Sequence, residues 1–477
     1  MDNLLFKNLE PTEGFYAPEK DGLGAFIWTG GRFALKSPGR DRFLLIRACY
    51  YGNDGRLSVR AGNGAVSELE LSYGWNTYVL EFGQAETLEL ELDRVIPVEG
   101  DGRALGLMLR SIEAFSDAER FDRLDTQMKN KALNEREFLS GKTRLESYPT
   151  RLRIDVEDRC NMAPRCVYCD WDNHKAEEAK SRFFFTPQSF ADLGMFFTCA
   201  EEVVDCSIGE PFLKNDIFDI IDRALGSDKS FDLVSNGLLL DEDMQKRLCG
   251  KEITLAVSLD ASNEESYKRL RGEGFGCVVE NLRLLCERKK AHNDLPVVNA
   301  AFIAMRSNIE EFPDYVRLVK EIGVDNVMLR ALSENLERLG LGSDNFNYGE
   351  ELLSADELSE FVVRAGELAG ESGVGLINGW SFGDVEMAGS GPLCREPWDS
   401  VYLFKRGVLP CCFTVSPVTH INTTDDGSLH DIAREAFNSE EMREIRTALA
   451  QRRLPEWCLK NRGCPIVKKI ERKELSR

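Results

Sequence analysis

Residues 160–169 read Cys-Asn-Met-Ala-Pro-Arg-Cys-Val-Tyr-Cys, which places three cysteines within one short stretch. The stretch directly follows residues 151–158, whose pattern predicts a β-strand. In cytosolic proteins, cysteines spaced this closely more often bind metal or take part in catalysis than form disulfides. Three thiolates can hold a [4Fe–4S] cluster and leave one iron with open positions for another ligand. The stretch therefore predicts a metal-binding loop at the carboxyl end of a strand.

The chain around this loop alternates between strand and helix patterns. Strands are predicted at 151–158, 203–207, 231–235, 253–259, 297–305 and 326–332. Helical segments at 188–201, 215–225, 264–269 and 309–323 lie between them. Such alternation predicts βαβ units, a parallel sheet and right-handed crossovers. Six units make a partial (β/α)6 barrel, and its site is expected at the carboxyl ends of the strands.

Polar motifs follow the second, third and fourth predicted strands. Ser207-Ile-Gly-Glu-Pro211 ends the second strand, Ser235-Asn-Gly237 ends the third, and Ser258-Leu-Asp260 ends the fourth. A basic motif, Arg269-Leu-Arg-Gly272, comes soon afterwards. Because the carboxyl ends of parallel strands meet at one edge, these motifs and the cysteines are expected to lie together.

In this order along the chain, the motifs resemble those of the radical S-adenosylmethionine (SAM) superfamily over roughly residues 150–380. The resemblance implies that Cys160, Cys166 and Cys169 hold a [4Fe–4S] cluster whose open iron is chelated by SAM. It also implies that an electron from the cluster splits SAM, giving a 5′-deoxyadenosyl radical that takes a hydrogen atom from the substrate. The five residues between Cys160 and Cys166 exceed the family's commonest spacing.

The same resemblance implies a set of SAM-binding residues. Gly209 and Glu210 match a Gly-Gly-Glu-Pro motif that binds the SAM amino group, with Ile208 in place of the first glycine. The implied set is Tyr168, Gly209, Glu210, Ser235, Ser258 and Arg271, the last toward the SAM carboxylate. The alternatives are structural: a zinc knuckle completed by His174, a Gly-Glu-Pro helix start, and a solvated basic helix end.

The last fifth of the chain carries a second group of cysteines. Cys394, Cys412, Cys458 and Cys464 offer four thiolates, and Cys412 lies five positions after Gly407. This pattern resembles the auxiliary-cluster extension of SPASM and twitch radical SAM enzymes, and it implies a second [4Fe–4S] cluster. Cys411 is a spare or an alternative ligand. A zinc ribbon is the competing interpretation, because four thiolates also suit zinc.

The first part of the chain has a different pattern. Residues 1–115 show short runs of alternating apolar and polar residues separated by turns, which predict an antiparallel β-sandwich that binds a substrate or partner. Residues 101–106 weakly resemble small β-sandwich domains fused to enzymes that act on cell-surface sugars. We therefore predict a sandwich at 1–115, a linker helix at 116–148, the barrel at 149–380 and a small iron–sulfur domain at 381–477. The last is expected to be held together by a ligand rather than a large core.

The composition of the chain indicates which classes of partner it is not suited to bind. The chain has 477 residues and a formal net charge of −21, which disfavours nucleic acid and anionic membranes. Its start lacks the pattern of a secretory signal, and no run approaches the roughly 20 apolar residues of a membrane span. The sequence therefore predicts a soluble, cytoplasmic enzyme.

The reaction predicted from these features is an oxidation. We expect an oxidoreductase-type radical SAM enzyme in which the second cluster assists a two-electron oxidation of a sugar or nucleotide-linked sugar. A reduced flavodoxin or ferredoxin is the expected electron donor. The main alternative is a maturase that oxidises or cross-links peptide side chains, and a minor one is a non-catalytic iron–sulfur scaffold or sensor.

Overall fold

The structure is a computed structural model in which the chain divides into two compact units, Met1–Lys129 and Asn130–Arg477. The described residues are 5–97, 103–169, 183–332, 346–378, 391–405, 407–411, 414, 416–421, 428–460, 464, 466, 467 and 470. Cys412, His174 and part of the sugar-enzyme-like motif (101 and 102) lie outside them. Within the described residues, no helix combines the length and apolar character that crossing a membrane requires.

The first unit is an antiparallel β-barrel. Its strands are β1 (Phe6–Lys7), β2 (Glu10–Phe15), β3 (Glu19–Asp21), β4 (Gly24–Lys36), β5 (Phe43–Ala61), β6 (Val66–Glu81), β7 (Thr87–Leu92), β8 (Ile96–Pro97), β9 (Ala104–Leu105) and β10 (Met108–Phe115). Both β7 and β10 pair with β4 and with β5, so the sheet closes on itself. The antiparallel β-domain is confirmed, but one sheet forms a closed ring where two separate sheets were expected. The predicted alternation holds in β7, where Leu88 and Leu90 are buried between exposed residues.

A helix follows the β-barrel of the first unit. Helix α1 (Ala118–Leu139) begins after β10 and ends in the second unit. The domain boundaries at 115, 148 and 380 stay predictions, because the chain divides by its packing only near residue 129.

The second unit is built on a mostly parallel, nine-stranded sheet. Its strands are β11 (Arg151–Ile154), β12 (Glu202–Asp205), β13 (Ser230–Ser235), β14 (Ile253–Ser258), β15 (Val297–Ala304), β16 (Asn326–Ala331), β17 (Gly375–Asn378), β18 (Ser400–Phe404) and β19 (Gly407–Leu409). Strands β11 to β16 stand in sequence order and are parallel, which confirms the six predicted strands. The sheet continues beyond them, with β17 beside β16, β18 beside β11, and β19 antiparallel to β18.

Helices alternate with these strands or follow them along the chain. They are α2 (Pro187–Leu193), α3 (Met195–Cys199), α4 (Ile217–Leu225), α5 (Glu242–Leu248), α6 (Glu264–Arg271), α7 (Phe275–Lys289), α8 (Phe312–Ile322), α9 (Tyr348–Glu351), α10 (Ala355–Ser372), α11 (Glu396–Asp399), α12 (Leu429–Phe437), α13 (Glu440–Ala450) and α14 (Glu456–Leu459). The predicted helix at 188–201 is broken at Gly194, whose φ of +52° lies in a region that favours glycine.

The carboxyl-terminal segment of the second unit shares the apolar core of the nine-stranded sheet. Leu152 of β11, Trp398 of α11 and Leu449 of α13 belong to one apolar cluster, and each is at most 1% exposed. Fully burying a large apolar side chain contributes about 1.5–3 kcal/mol. The described part of this segment is therefore held by an apolar core that it shares with the parallel sheet, contrary to the expectation that a ligand holds it together.

Candidate functional site

The loop that carries the three cysteines follows β11 and is fixed against the end of β12. The Gly209 amide donates to the Glu157 carbonyl (3.1 Å), and the Glu210 amide donates to the Arg159 carbonyl (2.7 Å). A Cβ atom on Gly209 would lie 2.4 Å from the Arg159 carbonyl oxygen, so a larger residue would push the loop away. The Gly-Glu-Pro motif thus positions the backbone that leads into Cys160.

A buried ion pair fixes the other end of the same loop. The Asp260 carboxylate accepts from the Tyr168 hydroxyl (2.5 Å), from Nη1 of Arg271 (2.6 Å) and from the Ile303 amide (2.7 Å). The side chains of Arg271 and Asp260 are 6% and 0% exposed. Tyr168 lies one position before Cys169, so this ion pair ties the cysteine loop to the ends of β14 and β15. The Asp260–Arg271 pairing with Tyr168 was not predicted from the sequence.

The cysteines themselves lie at different depths. Cys166 and Cys169 share one turn, in which the Cys169 amide donates to the Cys166 carbonyl (3.0 Å), whereas Cys160 is exposed. Burial raises the pKa of the Cys166 thiol, against the opposite effect of Arg271. None of the three takes part in a disulfide. Among the described residues, no three His, Cys, Asp or Glu side chains already converge closely enough to hold a metal ion.

Glu210 makes more contacts within the chain than its predicted role requires. Its buried carboxylate accepts from the Ser235 hydroxyl (2.9 Å), the Asn236 amide (2.7 Å) and the Phe212 amide (3.2 Å). Burial raises its pKa, while these hydrogen bonds lower it. A carboxylate offers about four acceptor positions, so roughly one remains for an ammonium group. Glu210 and Ser235 therefore join the ends of β12 and β13 in addition to any contact with a ligand.

Ser258 and Arg271, which are also predicted to contact SAM, differ in how exposed their side chains are. Ser258 ends β14 and is partly exposed. Arg271 is buried, and its Nε has no hydrogen-bond partner within the residues that the structure describes. A buried donor without a partner is costly, and a carboxylate such as that of SAM would satisfy it. The residues present thus fit the cofactors implied by the sequence.

Four cysteines line one apolar cavity in the carboxyl-terminal segment. The cavity has a volume of about 60 Å³, and its lining includes Cys394, Cys411, Cys458 and Cys464 together with Trp457. Burial raises the pKa of Cys458, and the neighbouring Cys411 and Cys464 raise it further. The structure thus brings together three of the four predicted auxiliary ligands, and Cys411 is the fourth. Cys412, which was predicted in that place, lies outside the described residues.

A larger, polar cavity of about 570 Å³ lies beside the first part of the cysteine loop. Asp155 and Asp158 line it together with Lys214, Lys405 and the exposed ring of Phe184. Lys405 pairs with Asp158, and its ammonium lies 4.7 Å from the centre of the Phe184 ring. The volume falls within the roughly 300–1,000 Å³ range of small-molecule sites.

Comparison with known proteins gives a family match for the region that carries the cysteine loop. The sequence model of the radical SAM superfamily matches residues 156–319, a range that begins in the cysteine loop and includes the ends of β12 to β15. The chain contains a radical SAM domain. Enzymes of this superfamily use a [4Fe–4S] cluster and SAM, which confirms the fold class, the cofactor classes and the resemblance that the motifs indicated. The SPASM or twitch character of the carboxyl-terminal segment stays a prediction.

Curated relatives of the radical SAM domain are named GTP 3′,8-cyclases. The chain is 30% identical over 175 residues to the probable GTP 3′,8-cyclase of Methanocaldococcus jannaschii, covering 36% of this chain and 55% of that protein. It is 30% identical over 220 residues to the GTP 3′,8-cyclase of Aquifex aeolicus, covering 45% of this chain and 64% of that protein. The chain thus spans less than two thirds of the length of these relatives.

A solved structure shares the fold. The crystal structure of Streptococcus suis SuiB bound to precursor peptide SuiA matches with a TM-score of 0.50 and 13% identity. The match covers 74% of this chain and 77% of that chain. At this identity the likeness shows the fold alone.

Asn236 is a residue of the radical SAM domain that sequence reasoning missed. Its side-chain amide donates to Asn161 (2.7 Å) and lies 3.8 Å from the sulfur of Cys160. Hydrogen bonds to cluster sulfurs raise or lower the reduction potential of the cluster, and the surrounding shell orients its ligands. The Ser-Asn-Gly motif was noted in the sequence, but only the fold shows that its second residue faces Cys160.

We expect that Asn236→Leu lowers the midpoint potential of the first cluster, because a donor to the Cys160 thiolate favours the reduced, more negative state. One net hydrogen bond of about 1 kcal/mol corresponds to roughly 40 mV for one electron. A redox titration followed by electron paramagnetic resonance measures the shift. Asn263→Leu, which removes an N-cap of α6, serves as the control. An unchanged potential in an iron-replete Asn236 variant would show that the contact has no electronic effect.

Proposed function

We propose that the chain is a radical SAM enzyme in which Cys160, Cys166 and Cys169 hold the SAM-cleaving [4Fe–4S] cluster. The observation that carries this proposal is the double anchoring of their loop, by Gly209 at the end of β12 and by Asp260 near the end of β14. The cofactors, when bound, supply a 5′-deoxyadenosyl radical that takes a hydrogen atom from the substrate, and a second cluster would accept one electron as the substrate loses a proton. The residues proposed to bind SAM are Tyr168, Gly209, Glu210, Ser235, Ser258 and Arg271.

The second cluster is proposed at the apolar cavity with Cys394, Cys411, Cys458 and Cys464 as ligands. Four cysteines line one cavity and support this choice, since thiolates are the usual ligands of such clusters. Zinc would suit the same thiolates, so the metal content decides between them.

Replacing Cys411 by alanine is expected to reduce the iron content from about eight to about four per chain, because one of two [4Fe–4S] clusters loses a ligand. Cys412→Ala is the matched control and should keep all the iron. Iron and zinc are measured by elemental analysis after anaerobic reconstitution. Iron loss in the Cys412 variant but not in the Cys411 variant would show that Cys412 is the ligand. One zinc ion per chain would support a zinc site instead of a cluster.

The substrate is proposed to be a small molecule, a sugar or nucleotide-linked sugar that undergoes a two-electron oxidation. The polar cavity beside the cysteine loop supports a small substrate, and the curated relatives are named for a nucleotide, GTP. A peptide maturase remains the alternative function. No observation on this chain favours it specifically, because the likeness to SuiB shows only the fold. A flavodoxin or ferredoxin is the proposed electron donor.

Anaerobic incubation of the reconstituted protein with SAM, a reductant and size-fractionated cell extract tests this function. We expect a small-molecule fraction to stimulate 5′-deoxyadenosine formation and to yield a product lighter by two hydrogen atoms. Stimulation by a peptide or protein fraction alone would favour the maturase. Absence of 5′-deoxyadenosine under every condition, in iron-replete protein, would overturn the radical SAM activity.

A further inference from the structure

The outer surface of the first unit's β-barrel carries a group of aromatic side chains. Antiparallel strands with one solvated face usually place polar residues there. Strand β7 follows this rule, because its exposed residues Thr87, Glu89 and Glu91 alternate with buried leucines. Aromatic rings on the same outer surface depart from that pattern.

One row of this surface crosses four neighbouring strands. Met108 of β10 lies opposite both Trp28 of β4 and Cys49 of β5. Cys49 in turn lies opposite Trp75 of β6. Directly opposite residues of antiparallel strands share a face, and Leu109, the next residue of β10, belongs to the core inside the barrel. The row therefore lies on the outside of the barrel.

Ring contacts extend this row into a continuous patch, here called the aromatic face, which consists of Phe26, Trp28, Tyr51, Tyr73 and Trp75. The ring centres of Phe26 and Trp28 are 6.3 Å apart, and those of Trp28 and Tyr51 are 5.8 Å apart. The ring centres of Tyr51 and Tyr73 are 6.2 Å apart. Tyr51, Tyr73 and Trp75 are nevertheless 46%, 64% and 39% exposed. Because neighbouring rings already hold these side chains, a ligand would order them at little cost in entropy.

Two charged side chains lie beside the aromatic face and neutralise each other. The guanidinium of Arg110 lies 4.8 Å from the centre of the Trp75 ring. It donates to both carboxylate oxygens of Asp21, at 2.9–3.1 Å. The Arg110 and Asp21 side chains are 22% and 33% exposed, so hydroxyl groups of a ligand can reach them. Because the pair has no net charge, the face suits a neutral, hydroxyl-bearing ligand better than an ion.

The size of the aromatic face favours a small ligand over a second protein. An aromatic side chain offers about 150–250 Å² of surface, so three rings that are about half exposed present on the order of 300 Å². A stable interface buries about 800 Å² on each partner. Met108 and Cys49 are at most 6% exposed, so the accessible part of the row is aromatic. The aromatic face alone is thus smaller than a stable interface with a second copy requires.

We propose that the aromatic face binds a neutral saccharide. The C–H groups on one side of a sugar ring pack on the electron-rich face of an aromatic ring, while the sugar hydroxyls form hydrogen bonds with polar groups beside it. The exposed rings provide the first kind of contact, and Asp21 and Arg110 provide the second. This inference goes beyond the proposed function, because the site lies in the first unit and not in the radical SAM domain. It gives the predicted binding role of this unit a surface and a class of ligand.

Titration of neutral hexasaccharides into the full-length protein tests this proposal. The probes are cellohexaose, mannohexaose and chitohexaose, and isothermal titration calorimetry measures their affinities. We expect at least one probe to bind, and Tyr73→Ala and Trp75→Ala each to weaken its binding roughly tenfold. Tyr73→Phe keeps the ring and should therefore bind like wild type. Val66→Ala is the matched control, because Val66 lies on β6 outside the aromatic face and is 56% exposed.

The outcomes separate this inference from the proposed function. No binding of any probe, or equal binding by wild type and both alanine variants, overturns the saccharide site. A wild-type dimer that Tyr73→Ala converts to a monomer, as measured by light scattering, would assign the face to a second copy and also overturn it. Tyr73 is largely exposed, so its variant keeps the test decisive if Trp75→Ala fails to fold. Formation of 5′-deoxyadenosine should not change in any of these variants, so the saccharide site and the radical SAM activity can each fail without the other.

Discussion

Replacing Cys160, Cys166 and Cys169 together by alanine is expected to abolish 5′-deoxyadenosine formation and to remove about half of the iron. The three thiolates are the only protein ligands proposed for the first cluster, so their loss leaves nothing to hold it, while the second site keeps its four cysteines. Anaerobic reconstitution, followed by iron analysis and chromatographic detection of 5′-deoxyadenosine, measures both quantities. The effect should be total for cleavage, because no other site is proposed to bind SAM.

The matched control for this variant is Cys277→Ala. Cys277 is a free, exposed cysteine on α7, and its replacement should leave iron and cleavage unchanged. Wild-type rates of 5′-deoxyadenosine formation in the triple variant would disprove the central assignment. Loss of all the iron would show instead that the two sites depend on each other for folding.

The parallel strands could be predicted from the sequence because they carry continuous local patterns. In β14, the run Ile-Thr-Leu-Ala-Val-Ser is rich in β-branched and apolar residues that suit a buried strand. The neighbouring elements β17 and β18 were missed. Strand β17 has only four residues, all of intermediate burial, and β18 pairs with β11 across roughly half of the chain. Such a pairing leaves no local trace in the sequence.

The candidate site shows the same division between local motifs and long-range contacts. The cysteine spacing and the Gly-Glu-Pro motif identified the family because both are short patterns. The contacts of Asp260 with Tyr168 and of Asn236 with Cys160 join residues 92 and 76 positions apart, so no spacing rule could indicate them. Similarly, only the fold placed Cys411 at the cavity with the other three cysteines.

Asp260→Ala is expected to destabilise the protein strongly and to lower iron loading of the first cluster. Its carboxylate is fully buried and accepts bonds from Arg271, Tyr168 and Ile303. Removing one partner of a buried ion pair costs about 3–5 kcal/mol, because the other charge is left unpaired. Tyr168 would lose its anchor at the same time, and it lies next to Cys169. Thermal unfolding and iron analysis measure the two effects.

The variant Asp260→Asn separates the effect of the side-chain charge from the effect of the backbone conformation at this position. Asp260 has a φ of +58°, which asparagine tolerates better than alanine, and the amide can keep some of the hydrogen bonds. We therefore expect the asparagine variant to lose the ion pair but to keep the loop, with a smaller loss of stability than Asp260→Ala. Asp314→Ala is the control, since its pair with Arg317 is exposed and should contribute at most about 1 kcal/mol. If Asp260→Ala unfolds at the wild-type temperature and retains all its iron, the buried pair does not hold the cysteine loop in place. If Asp260→Asn loses as much iron as Asp260→Ala, the charge of Asp260, and not its backbone conformation, positions Tyr168 and the cysteine that follows it.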